Sequence, residues 1–203
     1  MKNDSETGSR LRGRPRAFDR DAALDKAMRL FWERGFEATS LADLTQAMGI
    51  APPSLYAAFG DKEALFRETI ALYEARYAVD LADDLQREPD TRRAIERLMM
   101  DTADRLSESG RPKGCMIVAS AANCSNAAVS ADLCARRLGG LDLVINRLRQ
   151  GIARGDVPAD ADPVALGRFF AATYQGMSIQ ARDGASREEL HAVARRAMAA
   201  WPV

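Results

Sequence analysis

Apolar residues recur along this chain at spacings of three and four, and no stretch sustains the alternation of a half-buried strand. The pattern therefore predicts helices throughout. A first helix runs from Asp19 to about Arg34, with Leu24, Met28 and Phe31 on one stripe and Gly35 as its stop. A second follows Ser40, which pairs with Asp43 in a capping-box arrangement and turns Leu41, Leu44 and Met48 inward; Gly49 then permits a tight turn. A short third helix spans Pro52 to about Phe59, its prolines falling in the first turn, where backbone N–H groups lack intrahelical partners. Asp61 opens a long fourth, on which Phe66, Ile70, Tyr73, Tyr77, Leu81 and Leu85 follow at spacings of 4, 3, 4, 4 and 4. Ile95, Leu98, Met99, Thr102 and Leu106 line a fifth, ended by the turn at Gly110–Pro112, and Gly114 to Ala122 gives a short, nearly all-apolar sixth. The seventh runs from about Ala127 to Arg154 with Gly139 and Gly140 inside it. Asp162-Pro163 opens the eighth, and Ser186 with Glu189 caps a ninth that reaches Trp201. The predicted fold class is all-α.

Charge changes this picture only once it is divided along the chain. The 203 residues hold 29 lysines and arginines against 29 aspartates and glutamates, which excludes a generic polycation that binds by bulk phosphate neutralisation. Yet residues 1–20 carry six bases (Lys2, Arg10, Arg12, Arg14, Arg16 and Arg20) against three acids, while residues 61–90 carry four bases against nine acids. Residues 91–154 have eleven bases against six acids, but these are dispersed and read as a solvated helix face. The arginines from Arg10 to Arg16 alternate around Gly13 and Pro15 with too little apolar content to fold alone, so residues 1–17 are predicted to be a flexible basic arm. A single histidine, His191, expected to be solvated, and the lack of a Gly-rich phosphate loop or a nucleophile–base pattern argue against an enzyme. The start has no apolar h-region and the longest apolar run, Met116 to Ala122, is too short to cross a bilayer; with three scattered cysteines, a cytoplasmic protein away from any membrane is expected.

Three short helices feeding a longer one suggest a helix-turn-helix, and the local sequence sharpens this. Residues Thr39-Ser40-Leu41-Ala42-Asp43-Leu44-Thr45-Gln46-Ala47-Met48-Gly49-Ile50-Ala51, then Ser54-Leu55-Tyr56, Phe59 and Lys62-Glu63-Ala64-Leu65, resemble the N-terminal DNA-binding domain of the TetR/AcrR family of one-component bacterial transcriptional regulators. The match covers about residues 18–66, and the nine-helix layout fits the family over nearly the whole chain. The expected organisation is an arm (1–17), a helix-turn-helix domain (18–64) and a helical effector-binding and dimerisation domain (65–203). Leu41, Leu44, Met48, Ile50, Leu55 and Phe59 would pack the small core that fixes the two helices' crossing. Thr39 and Ser40, at a helix N-terminus, suit a phosphate, and Ser54 can reach bases or backbone. The resemblance implies that Tyr56 and Lys62 contact phosphate as well. Pro52 and Pro53 remove N–H donors and offer rigid apolar surface to a thymine methyl, while Ala57 and Ala58 leave little for direct base reading. Arg12, Arg14 and Arg16 are accordingly expected to carry a large share of the affinity, by way of a flanking minor groove.

The resemblance further implies a homodimer on a palindromic operator, most often a repressor, released when a small-molecule effector rotates the long fourth helix. No cofactor is implied. Leu166, Phe169, Thr173 and Met177 on the eighth helix, with Ala194, Ala197, Met198 and Trp201 on the ninth, are the candidate dimer surface. Met99, Met100, Ala103, Met116, Ile117, Phe170 and Tyr174 are the candidate pocket lining, with Asn123, Gln175 or Arg182 as polar anchors. Cys115, Cys124 and Cys134 match no common zinc spacing and read as small buried hydrophobes; a thiol- or metal-responsive regulator of the same fold is the alternative.

Overall fold

The computed structural model describes residues 18–77, 81–121 and 124–202, which hold ten helices and no strand. These are α1 (Arg20–Arg34), α2 (Leu41–Met48), α3 (Pro52–Phe59), α4 (Lys62–Tyr77), α5 (Leu81–Arg87), α6 (Thr91–Ser107), α7 (Met116–Ala121), α8 (Ala127–Arg154), α9 (Pro163–Arg182) and α10 (Arg187–Met198). Arg12, Arg14, Arg16 and Asn123 lie outside the described residues. The one departure in layout is the predicted fourth helix. Its stripe from Phe66 to Leu85 falls on two elements, because α4 packs on α1 and α7 whereas α5 packs on α6 and α8.

Capping chemistry sets most of the helix starts. The side chains of Asp19, Asp90, Asn126 and Asp162 each accept backbone N–H bonds from the first turn of α1, α6, α8 and α9. Ser40 and Ser186 form reciprocal capping boxes with Asp43 and Glu189. An aromatic cluster then joins the N-terminal helices to the rest. Phe31 meets Phe66 edge-on at 5.0 Å between centroids, and Trp32 of α1 meets Tyr73 of α4 at 4.8 Å. A buried cation fixes the far end: Arg147 of α8 donates to the carbonyls of Leu85, Glu88 and Pro89 and to the Thr91 hydroxyl, tying the α5–α6 connection onto α8.

The C-terminal helix sits differently from expectation. Ala194, Ala197 and Met198 are buried within the chain's own core, as is Met177, because the small residues of α10 let it close against α6 and α9. They are therefore not part of a free intersubunit face. His191 is likewise held rather than solvated, its Nε2 lying 2.5 Å from Asp104 Oδ1.

A DNA-reading surface and an internal cavity

Gly49 makes the turn between α2 and α3. It sits at φ +72°, and the N–H groups of Gly49 and Ile50 both return to the Thr45 carbonyl, closing α2 in the left-handed glycine cap. Leu44, Met48, Leu55 and Phe59 are buried beneath the pair, with Leu41 and Ile50 packed at the edge, so all six expected core residues take part. Helix α3 starts without a side-chain cap, carries proline at its first two positions, and has its Ser54 N–H already bonded to the Ala51 carbonyl. No donor points out of that terminus among these groups. What α3 presents is Tyr56, 52 % exposed, beside Pro52 and a shallow apolar hollow formed by Leu41, Ala42, Thr45, Pro52, Leu55 and Tyr56. Ser54 is half-buried on the same helix.

The other candidate contacts divide sharply. Thr39 is fully buried and donates its hydroxyl to the Gly35 carbonyl at 2.7 Å, which removes it from solvent and corrects the expectation of a phosphate contact there. Ser40 is exposed, but its hydroxyl is bonded to Asp43 at 2.5 Å. The Ser40 hydroxyl and N–H hold the Asp43 carboxyl below its ordinary value, so a negative charge stands at the start of α2. Lys62 lies 4.3 Å above the Phe36 ring, facing Glu37; burial lowers its pKa while Glu37 opposes the shift. Arg20 is spent on Glu68, at 2.7 Å, and on the Phe59 ring.

A polar clasp connects this surface to the body. Glu37, in the α1–α2 connection, accepts from the Ser125 hydroxyl at 2.8 Å and from the N–H groups of Ser125 and Asn126 at 2.7 and 3.1 Å. Asn126, while capping α8, donates its amide to Glu63 of α4 at 2.6 Å. These bonds hold the Glu37 carboxyl below its ordinary value, the Ser125 hydroxyl contributing most. Neither Glu37 nor Asn126 stood out in the sequence, because nothing local links positions 89 residues apart.

Inside the body lies a cavity of about 260 Å³. Of the candidate pocket residues, Met99, Ile117, Phe170, Tyr174 and Gln175 lie in its wall; Met100, Ala103 and Met116 do not. Ala103 and Met116 are instead fully buried in the surrounding core. Arg182 serves elsewhere, donating to the Trp32 and Glu33 carbonyls at the end of α1. The wall also contains groups the sequence pattern did not single out: Trp32 from α1, Tyr73, Glu74 and Tyr77 from α4, and four arginines, Arg105, Arg111, Arg136 and Arg137. Cys115 lines it too, buried, with Tyr73 and Tyr174 beside its sulfur. Burial pushes both tyrosine hydroxyls well above their ordinary pKa, so they remain protonated donors. Gly114, at φ +77°, brings its chain so close to α9 that a Cβ would meet the Ser178 carbonyl at 2.6 Å; its own carbonyl accepts from the Trp32 indole at 3.1 Å. Among the described residues no group of three or more His, Cys, Asp or Glu is placed to hold a metal, and no helix is long and apolar enough to cross a membrane.

A second helix exposed on a glycine turn, carried by a helical body with an internal cavity, is the build of a helix-turn-helix regulator. The family model for bacterial regulatory proteins of the tetR family matches residues 23–69. The HTH-type transcriptional repressor ComR of Escherichia coli K12 is 40% identical over 200 residues, covering 94% of this chain and 92% of that protein. The repressor BdcR of the same organism is 34% identical over 186 residues, covering 92% and 90%. A solved structure of the TetR-family regulator CifR, in a cysteine-substituted form bound to 26-base-pair operator DNA, shares 46% identity with a TM-score of 0.86, covering 94% of this chain and all of that one. The chain belongs to the TetR family of transcriptional regulators.

Proposed function

We propose that this TetR-family member is a repressor that binds palindromic operator DNA as a homodimer and lets go when a small molecule enters the cavity. The observation that carries the reading is Trp32: one side chain of α1, in the DNA-reading module, forms part of the cavity wall. Helix α4 offers a second route. Its 16 residues span about 24 Å at 1.5 Å per residue, with the clasp residue Glu63 in its first turn and the wall residues Tyr73 and Tyr77 towards its end. A ligand that prefers one setting of α4 changes the spacing of two recognition helices, and DNA must weaken that ligand by the same factor. Repression fits ComR and BdcR, which are repressors, and operator binding fits CifR, solved in complex with operator DNA.

On the DNA side, Tyr56 and Lys62 are assigned to phosphate, and the hollow at Pro52 to a thymine methyl. The arm arginines supply the charge that α3 lacks. For the dimer, the face proposed is that of α8 and α9, a reading supported by the exposed apolar residues Leu138, Leu143, Val164, Phe169 and Ile179, with Leu166, Thr173 and Trp201 half-buried on or near it. A gel shift with DNA flanking the protein's own gene tests the reading, a retarded band at a dimer stoichiometry being expected and no sequence-dependent shift overturning it. Removing residues 1–16 should weaken the complex and flatten the slope of log K against log[salt]; an unchanged slope removes the arm from the account.

A second reading follows from Cys115. A thiol in the wall between two tyrosines is placed to answer an electrophile that enters the cavity, making the regulator thiol-responsive. Alkylation of protein carrying Cys124→Ser and Cys134→Ser, followed by operator binding, separates this from reversible ligand release. Four arginines in the same wall work against a metal cation at that thiol.

A further inference from the structure

The cavity's charge is lopsided. Its wall holds four arginines and one acid, Glu74, and that acid is already bonded to Arg136, which also bonds Asp132 at 3.0 Å. Of the remaining three, Arg111 is paired from outside the wall by Glu108, and Arg105 and Arg137 have no ion-pair partner among the described residues. Arg111 has a side chain only 9 % exposed; one of its terminal nitrogens reaches the Arg105 carbonyl and the outward Glu108, yet its Nε is buried without a hydrogen-bond partner. Its guanidinium rests 4.7 Å from the Tyr77 ring centroid and 5.7 Å from that of Trp32, which holds it at the edge of the aromatic wall. Arg137 likewise has a buried terminal nitrogen with no partner, and among the described residues neither Arg105 nor Arg137 forms an ion pair. A buried guanidinium nitrogen without an acceptor is costly, and the cost is relieved by an oxyanion. The rest of the wall, Trp32, Tyr73, Tyr77, Leu98, Phe170 and Tyr174 among it, is aromatic or apolar.

We propose that the cavity takes a compact organic monoanion of the aryl- or phenylalkyl-carboxylate class, its head group on Arg111 and Arg137 and its ring against the aromatic side of the wall. This rests on the cavity being the effector site and names the class of effector. At about 260 Å³ the cavity lies at the small end of ligand sites, which favours a compact ligand over long acyl chains and nucleotides. The cationic wall selects against amines and metal cations, and its aromatic part selects an organic anion over an inorganic one.

Calorimetric titration of the full-length protein with matched probes tests this. The pairs are 2-naphthoate with 2-naphthamide and 4-phenylbutyrate with 4-phenylbutanamide, with inorganic phosphate as the bare anion. A carboxylate of at least one pair should bind tenfold or more tighter than its amide, and Arg137→Gln should abolish that preference while leaving the amide's affinity as it was. Arg111→Gln should act in the same direction, but Arg137, which makes no ion pair among the described residues while Arg111 is bonded to Glu108 and the Arg105 carbonyl, keeps the test valid if that variant fails to fold. Amides binding as well as acids, phosphate competing as well as naphthoate, or no probe binding at all overturns the anion class, and operator binding by the same preparation leaves the regulator reading standing. A carboxylate that binds with the predicted preference but leaves operator affinity unchanged supports the anion site and overturns ligand release.

Discussion

The DNA-reading surface and the cavity are built by opposite economies. On α3 the exposed chemistry is a tyrosine, a half-buried serine and two prolines, with alanines behind them, and the nearby Arg20 is spent on Glu68 and the Phe59 ring. In the cavity, chemistry is dense: aromatic rings, four arginines and a thiol meet around one small space. On the proposed reading, stability and function coincide at the cavity and separate at the DNA surface. A residue there can change without the fold noticing, whereas most of the cavity wall is also core.

Trp32 gives the largest expected effect. Trp32→Ala removes a fully buried ring that packs on Tyr73 and donates to Gly114, and should cost about 3–5 kcal/mol of stability in chemical denaturation. A small loss would show that the wall is not core and break the contrast. Tyr56→Phe should do the reverse. It should weaken operator binding by about 1.5–3 kcal/mol, roughly tenfold or more by fluorescence anisotropy, with an unchanged melting midpoint because the hydroxyl is exposed.

Two smaller effects sit on the clasp between the regions. Asn126→Ala removes the α8 cap together with the bond to Glu63 and should cost about 1 kcal/mol in thermal or urea unfolding. The smallest is a matter of pH. The folded carboxyl of Glu37 lies below its ordinary 4.5, so its contribution is fully present above that value and is lost as pH falls through the lowered one. The melting-point gap between wild type and Glu37→Gln should therefore shrink on acidification; a gap that widens would place the stabilising charge elsewhere.

The helix-turn-helix was legible because its determinants are local: Ser40 with Asp43, Gly49 at a left-handed turn, Leu44 and Met48 on one face. Most helix starts followed from single capping residues for the same reason. The cavity was half legible. Ile117, Phe170 and Tyr174 are apolar or aromatic residues on helix faces, but an arginine such as Arg137 on an amphipathic helix has the same sequence signature as a solvated one, and only tertiary burial distinguishes them. Thr39 failed in the opposite direction, a polar residue next to a cap that folds inward onto Gly35. The ends of α10 show why small-residue stripes mislead: alanine permits close approach by any helix, and here α6 uses it.

The capping of α1 by Arg182, together with the Trp32 bond to Gly114, bears on how such a protein can be rebuilt. Residues 18–64 are not an interchangeable cassette. A chimera that grafts another regulator's N-terminal helices onto this body would take the Trp32 side chain out of the cavity wall and leave the Arg182 guanidinium without its acceptors. To keep its response, a hybrid would have to import the operator-facing side chains of α2 and α3 while retaining the inner face of α1.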